Sequence, residues 1–153
     1  MVSLDLHDPR VQAALHLVGT RYHYGRGEPK DGVLGDAECL RAPTDCSGGA
    51  QKYAVVVGDI DADQPDRNAH ALAMVCDPVS MEDARCGDLV FYDRDADGRL
   101  EHVAIYIGGG MVVSMSGGTS HTFGDDPNAC GQVRPIGAHR VIGRWKMSVR
   151  RAP

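Results

Sequence analysis

A thiol and an imidazole are the groups in this chain best suited to making and breaking bonds. Cys46 stands in the run Thr44-Asp45-Cys46-Ser47-Gly48-Gly49-Ala50, after Pro43 and ahead of Gln51, Lys52, Tyr53, Ala54 and Val55. Asp45 suits a helix N-cap and Cys46 the first turn that follows. Unpaired N–H groups and the positive end of the helix dipole favour a thiolate there. With a basic neighbour, such a site lowers a thiol pKa from about 8.5 into a range of about 3.5–7.5. The plainer reading of the same residue is a small buried cysteine at a helix start. His102 opens the apolar run His102-Val103-Ala104-Ile105-Tyr106-Ile107, just after a polar stretch from Asp93 to Arg99. An imidazole held against a thiol takes its proton, and later returns it to a leaving group.

These two residues need elements to bring them together. Asp8 and Pro9 read as an N-cap and N1 pair. Val11, Ala14, Leu15 and Val18 follow at helical spacing, with Gly19 as the stop. Residues 20–45 read as irregular. A helix is expected from Cys46 to about Val57, an acidic loop from Gly58 to Pro65, and a third short helix from Asp66 to Val75. Strands are expected from Asp88 onward. Gly87-Asp88-Leu89-Val90-Phe91-Tyr92 opens one, the His102 run forms the next, and Met111-Val112-Val113-Ser114-Met115 follows the triple glycine. Two hairpins in succession predict an antiparallel meander. A last pair is expected at Gln132–Arg134 and Arg140–Met147, with Trp145 packed on the body and Met147–Pro153 as a tail. Helices first and a meander after is an α+β layout.

A helix-borne cysteine with a distant strand-borne histidine is the layout of papain-like cysteine hydrolases. The chain resembles, more narrowly, the NlpC family of bacterial cell-wall cysteine peptidases. Four segments carry the likeness in order: Tyr22-His23-Tyr24-Gly25-Arg26-Gly27, Asp45-Cys46-Ser47-Gly48, Gly87-Asp88-Leu89-Val90-Phe91-Tyr92, and His102-Val103-Ala104-Ile105-Tyr106-Ile107-Gly108. The resemblance implies a papain-like α+β domain, N-terminal helices packed on a C-terminal antiparallel sheet, over residues 1–153. It implies Cys46 as nucleophile and His102 as base and then acid. It places Tyr22, Asp45 and Ser47 on the substrate side, Tyr22 with a hydroxyl for the oxyanion and Asp45 for a substrate amine. The substrate implied is the peptidoglycan stem peptide, cleaved between D-glutamate and a diamino acid without a cofactor. The chain departs from the family in three places. Ser114 occupies the position of the usual histidine, asparagine or glutamine that orients the catalytic imidazole, with His121 as its rival. Gly49 replaces a large apolar residue. The stretch from Glu28 to Pro43 is longer than usual and is expected to shape or cover the cleft.

Composition sets the remaining bounds. With 153 residues, one domain with a real core is the simplest expectation. A formal net charge of -5 and the lack of a basic stripe argue against nucleic acid as ligand. No apolar run reaches membrane-spanning length, and Met1–Arg10 lacks the basic and apolar regions of a signal peptide. The expectation is therefore a chain made in the cytoplasm; by analogy with the family it resembles, it is assembled into a phage tail tip, where it opens the wall, or released to act on the cell wall. A lysis enzyme, a secreted antibacterial toxin and a catalytically idle structural tail protein are the alternatives. Five cysteines leave at least one unpaired; Cys76 and Cys86 could bridge, although reduced thiols are the default without a leader. The absence of Cys-x-x-Cys and His-x-x-x-His pairs speaks against structural zinc. Asp93-x-Asp95-x-Asp97-Gly98 imitates the start of a calcium loop, but the residue at its twelfth position is Ala104. A solvated, metal-free hairpin tip is expected there, with Glu101 the residue that would complete a partial site.

Overall fold

The computed structural model describes residues 2–25 and 37–149. Three helices are followed by strands. Helix α1 spans Pro9–Leu15, α2 Cys46–Val56 and α3 Ala69–Met74. The strands are β1 (Cys76–Val79), β2 (Leu89–Tyr92), β3 (His102–Gly108), β4 (Met111–Ser116), β5 (Cys130–Pro135) and β6 (Arg140–Trp145). They form one antiparallel sheet in the order β1-β6-β2-β3-β4-β5. The meander β2-β3-β4-β5 is therefore closed by β6, which returns across it to pair with β2.

Strand alternation divides the sheet into two faces. Leu89, Phe91, Val103, Ile105, Ile107, Val113 and Met115 join Val11, Ala14, Leu17, Ala50, Tyr53, Ala54 and Leu72 in the main core beneath the helices. Val90, Ala104, Tyr106, Val112 and Ile142 form a second, smaller core on the opposite face. Gly49 lets α2 sit close to this sheet: a Cβ there would stand 3.3 Å from Thr44, 3.4 Å from Leu17 and 3.5 Å from Met115. A large apolar residue at that position would push the Cys46 helix off β4.

Several elements differ from the sequence reading, each for a tertiary reason. Helix α1 stops at Leu15, not at Val18. Its last turn tightens into Leu17 N–H to Ala14 and Val18 N–H to Leu15 bonds, and Val18 then bridges Gly131 on β5. Val18 is consequently 46% exposed and not part of the helical core face. Helix α3 begins at Ala69, three residues later than expected. Fully buried Gln51 explains the delay. It donates to the Pro65 carbonyl (3.0 Å) and accepts from the Arg67 N–H (2.7 Å), fixing that backbone until Asn68 caps the helix. Strand β1 lies ahead of Asp88, where the sequence predicts no strand. It pairs only with β6, so Pro78 sits on a sheet edge where its missing N–H costs no ladder bond. Cys76 and Cys86 do not bridge, and no disulfide joins any two of the five cysteines. Trp145 is buried as expected. Of the long stretch Glu28–Pro43, residues 28–36 lie outside the described residues, and Ala37–Arg41 forms a 3-10 turn.

Two ion pairs tie the ends of the fold together. Arg144 on β6 grips Asp88 through two bonds of 2.8 Å, and Arg10 on α1 grips Asp59 through bonds of 2.8 and 2.6 Å. Asp88 is buried and also accepts from the Arg85 N–H at 2.8 Å, so it anchors the start of β2. The described helices include none long and apolar enough to cross a membrane.

Candidate active site

Asp45 caps α2 as its sequence predicts: a carboxylate oxygen accepts from the Gly48 N–H at 2.7 Å. The Gly25 N–H reaches the same carboxylate. Ser47 is buried and turns its hydroxyl onto Asp45 at 3.3 Å. Ser47 thus holds the carboxylate and does not face open space. Burial raises the Asp45 pKa against the lowering effect of these donors.

Cys46 occupies the first helical position, so its own N–H has no partner within the helix. Two other N–H groups point at its sulfur, those of Ser47 and of Val103. The β3–β4 ladder runs from the hairpin only as far as Ile105 opposite Val113. Ahead of that point the Val103 N–H is spent on the thiol. Cys46 therefore meets β3 one residue past His102. Burial nonetheless pushes the Cys46 thiol above its ordinary pKa, outweighing the N–H donors and the cation of Arg94. This reverses the low thiol pKa expected from the helix terminus alone. Desolvation dominates when a thiol is covered by apolar neighbours.

His102 shares its face of β3 with Ala104 and Tyr106, the face away from the helices. It is buried, with its Nε2 2.5 Å from Ser114 Oγ. Ser116 backs this contact by donating to Ser114 Oγ at 3.1 Å. The Tyr92 ring lies tilted against the imidazole at 5.7 Å, and its hydroxyl donates to the Ile136 carbonyl at 2.6 Å. Burial first, and then the positive charges of Arg94 and Arg134, lower the His102 pKa to about 4. His121, the rival for the orienting position, lies exposed in a turn anchored by Thr119 and does not hydrogen-bond the imidazole.

Tyr22 closes the other side. Its backbone bridges Thr44, and its hydroxyl is pushed up to about 12 by burial and by the nearness of Cys46 and Asp45. The ring lies flat on Gly118, where any Cβ would fall inside it. His23 and Phe123 stack edge-on at 5.6 Å just outside. The structure thus gathers Tyr22, Asp45, Cys46 and Ser47 at the α2 terminus, and His102 with Ser114 across β3 and β4. Sequence reasoning missed Tyr92, Arg94, Ser116 and Arg134 around the imidazole. The hairpin tip is exposed from Arg94 to Arg99, but Asp93 is only half-exposed. Asp93, Asp97 and Glu101 bring oxygen atoms within 4.8 Å of one another. Asp93 accepts from the N–H groups of Asp97 (3.2 Å) and Gly98 (2.8 Å), so turn geometry accounts for its position.

A helix that presents a cysteine at its N-terminus, packed on an antiparallel sheet that carries a histidine, defines a papain-like α+β fold. The NlpC/P60 family model matches residues 19–128, and the chain belongs to that family. No curated protein sequence matches it. Among solved structures, NlpC2 from Trichomonas vaginalis superposes with a TM-score of 0.64 at 17% identity, over 89% of this chain and 45% of that one. The chain spans about half the length of the two Trichomonas vaginalis proteins it matches. The P60 domain of the antigen MAP1204 from M. avium subspecies paratuberculosis gives 0.59 at 21% identity, over 88% of this chain and 90% of that one. RipD from Mycobacterium tuberculosis, described as a non-catalytic NlpC/p60 domain protein adapted to peptidoglycan binding, gives 0.59 at 20% identity, over 92% and 97%.

Proposed function

We propose that this chain is a peptidoglycan hydrolase that cleaves a stem-peptide amide, between D-glutamate and a diamino acid, through Cys46 and His102. The observation that carries the reading is the buried His102–Ser114 contact, one residue along β3 from the Val103 N–H that meets the Cys46 thiol. With the imidazole proton on Nε2 and accepted by Ser114, Nδ1 is the free base. Cys46 Sγ attacks the amide carbon, and its proton passes to His102. The C–N bond then breaks as His102 gives that proton to the departing amine, leaving an acyl-enzyme. Water, deprotonated by His102, attacks the acyl carbon; the S–C bond breaks, and the thiolate recovers the proton. The Cys46 N–H, which has no partner within the helix, and the Tyr22 hydroxyl are the oxyanion donors in this reading. Asp45 is the group for a substrate amine, with Ser47 fixing its orientation.

The raised thiol and lowered imidazole make the resting pair neutral, so proton transfer accompanies attack and does not precede it. Family membership supports the substrate class, and SagA, a peptidoglycan hydrolase with an NlpC/p60 domain, shares the fold at a TM-score of 0.58. RipD shows that the family also holds non-catalytic members. Retention of both Cys46 and His102 favours the catalytic reading here. Delivery as part of a phage tail tip is proposed from the sequence reading alone. The test of function is mass spectrometry of purified muropeptides after digestion. Wild-type protein should release a new amino terminus on the diamino acid, and Cys46→Ala should release none. Equal release by both, or none by wild type, refutes the assignment.

A further inference from the structure

The side of His102 facing away from the helices opens into a cleft of about 350 Å³. Its lining includes His102, Ser114, Ser116 and Tyr92, with Arg94 from the β2–β3 hairpin and Arg134 from β5. Arg134 stands opposite Val112 in the β4–β5 register, one alternation from Ser114. None of the residues read as substrate-side, Tyr22, Asp45 and Ser47, lines this cleft. Two guanidinium groups therefore flank one cavity beside the imidazole. Neither forms an ion pair with a carboxylate among the described residues, whereas Arg10 and Arg144 both do. The fold thus concentrates positive charge next to the group that must itself become positive when it accepts the thiol proton.

We propose that this cleft is a carboxylate-binding subsite for the leaving half of the substrate, with Arg94 and Arg134 as its cationic walls. The assignment rests on the hydrolase reading for its orientation. His102 protonates the departing amine, so the departing residue lies on the His102 side, where the cleft is. A planar guanidinium pairs a carboxylate through parallel N–H bonds, and two of them across one cavity suit a single anionic group better than a neutral amide. A carboxylate seated there also offsets the charge of both arginines at the imidazole. The leaving residue selected is then a diamino acid whose side chain ends in a free carboxylate, in preference to one ending in a carboxamide.

The experiment has a binding arm and a turnover arm. In the first, Cys46→Ala protein is titrated with three probes: the free diamino acid bearing a terminal carboxylate, its carboxamide, and inorganic phosphate. The carboxylate should bind about tenfold tighter than the carboxamide, and that ratio should fall to near one when Arg94→Gln and Arg134→Gln are added. An equal affinity for both diamino acids, a ratio unmoved by the two substitutions, or phosphate competing as well as the carboxylate overturns the subsite. In the second arm, wild-type protein is given two stem peptides that differ only in that terminal group, and the preference should appear in kcat/KM. Carboxylate-selective binding without hydrolysis of either peptide keeps the subsite and overturns the hydrolase reading. Hydrolysis of both peptides with equal kcat/KM does the reverse.

Discussion

Replacing Ser114 by alanine separates an orienting hydroxyl from a merely adjacent one. In the native structure the His102 Nε2–H has one partner, Ser114 Oγ at 2.5 Å, and the imidazole is 8% exposed. Ser114→Ala removes the acceptor and leaves the buried N–H without its protein partner. An unsatisfied buried donor costs about 1–3 kcal/mol. The neutral imidazole escapes that cost by moving its proton to Nδ1, which removes the lone pair needed to take the thiol proton. Either route charges the same penalty to the reactive arrangement. At 1.36 kcal/mol per tenfold, kcat should fall by about 5- to 150-fold. Loss of the base itself is worth about 10²–10⁴, so His102→Ala should be the more severe change. The assay is chromatographic release of product from a synthetic stem peptide, with kcat and KM measured separately. KM should move little, since Ser114 acts through the imidazole. Folding is checked by thermal melting, because the serine also accepts from Ser116. A Ser114→Ala enzyme within twofold of wild type, or one as impaired as His102→Ala, refutes the orienting role.

Two further outcomes follow from the same geometry. His102 is lowered to about 4 by burial and by Arg94 and Arg134, and only its neutral form accepts the thiol proton, so the acid limb of kcat/KM should lie near pH 4. At pH 5.5 the rate should stay within about twofold of that at pH 7, whereas an ordinary imidazole of pKa about 6.5 would leave about a tenth of it; an acid limb near 6.5 contradicts the buried, neutral base. Gly118→Ala should displace the Tyr22 ring that lies on it and impair hydrolysis at least as much as Tyr22→Phe, with melting curves reporting whether the fold survives; a fully active, fully folded Gly118→Ala enzyme removes Tyr22 from the site.

Some of this architecture could be read along the chain and some could not, and the division follows the range of the interactions. Helix α2 was legible because its cap, its nucleophile and its small first turn are contiguous. The β2-β3-β4 meander was legible because polar tips and glycines separate short apolar runs. The meeting of Ser114 with His102 was implied by the family resemblance, which sets a polar residue of the strand after His102 against the imidazole. Strand β1 was not legible: four residues with a proline carry no strand signal until β6 returns beside them. The end of α1 was set by a bridge to Gly131, more than a hundred residues away. Arg94 and Arg134 look like ordinary surface arginines until the hairpin and the β4–β5 register bring them to one cleft.

The thiol is where local and tertiary physics oppose each other most directly. A helix N-terminus favours the thiolate by offering N–H groups and a partial positive charge, and both are present at Cys46. Packing against β3 removes water from the same sulfur, and desolvation raises its pKa further than those donors lower it. The imidazole suffers the same loss of water with the opposite sign, because its charged form is the protonated one. Burial therefore pulls the two pKa values apart in the direction that keeps both groups neutral. A charged resting pair would need a counter-charge near His102, and the structure supplies arginines there instead. A bound carboxylate reverses that imbalance: it offsets Arg94 and Arg134, favours the imidazolium, and so eases proton transfer from Cys46 only when an anionic substrate fills the cleft. On this account the cost of burying the pair becomes a source of selectivity, since a neutral leaving group would leave the base facing two uncompensated cations.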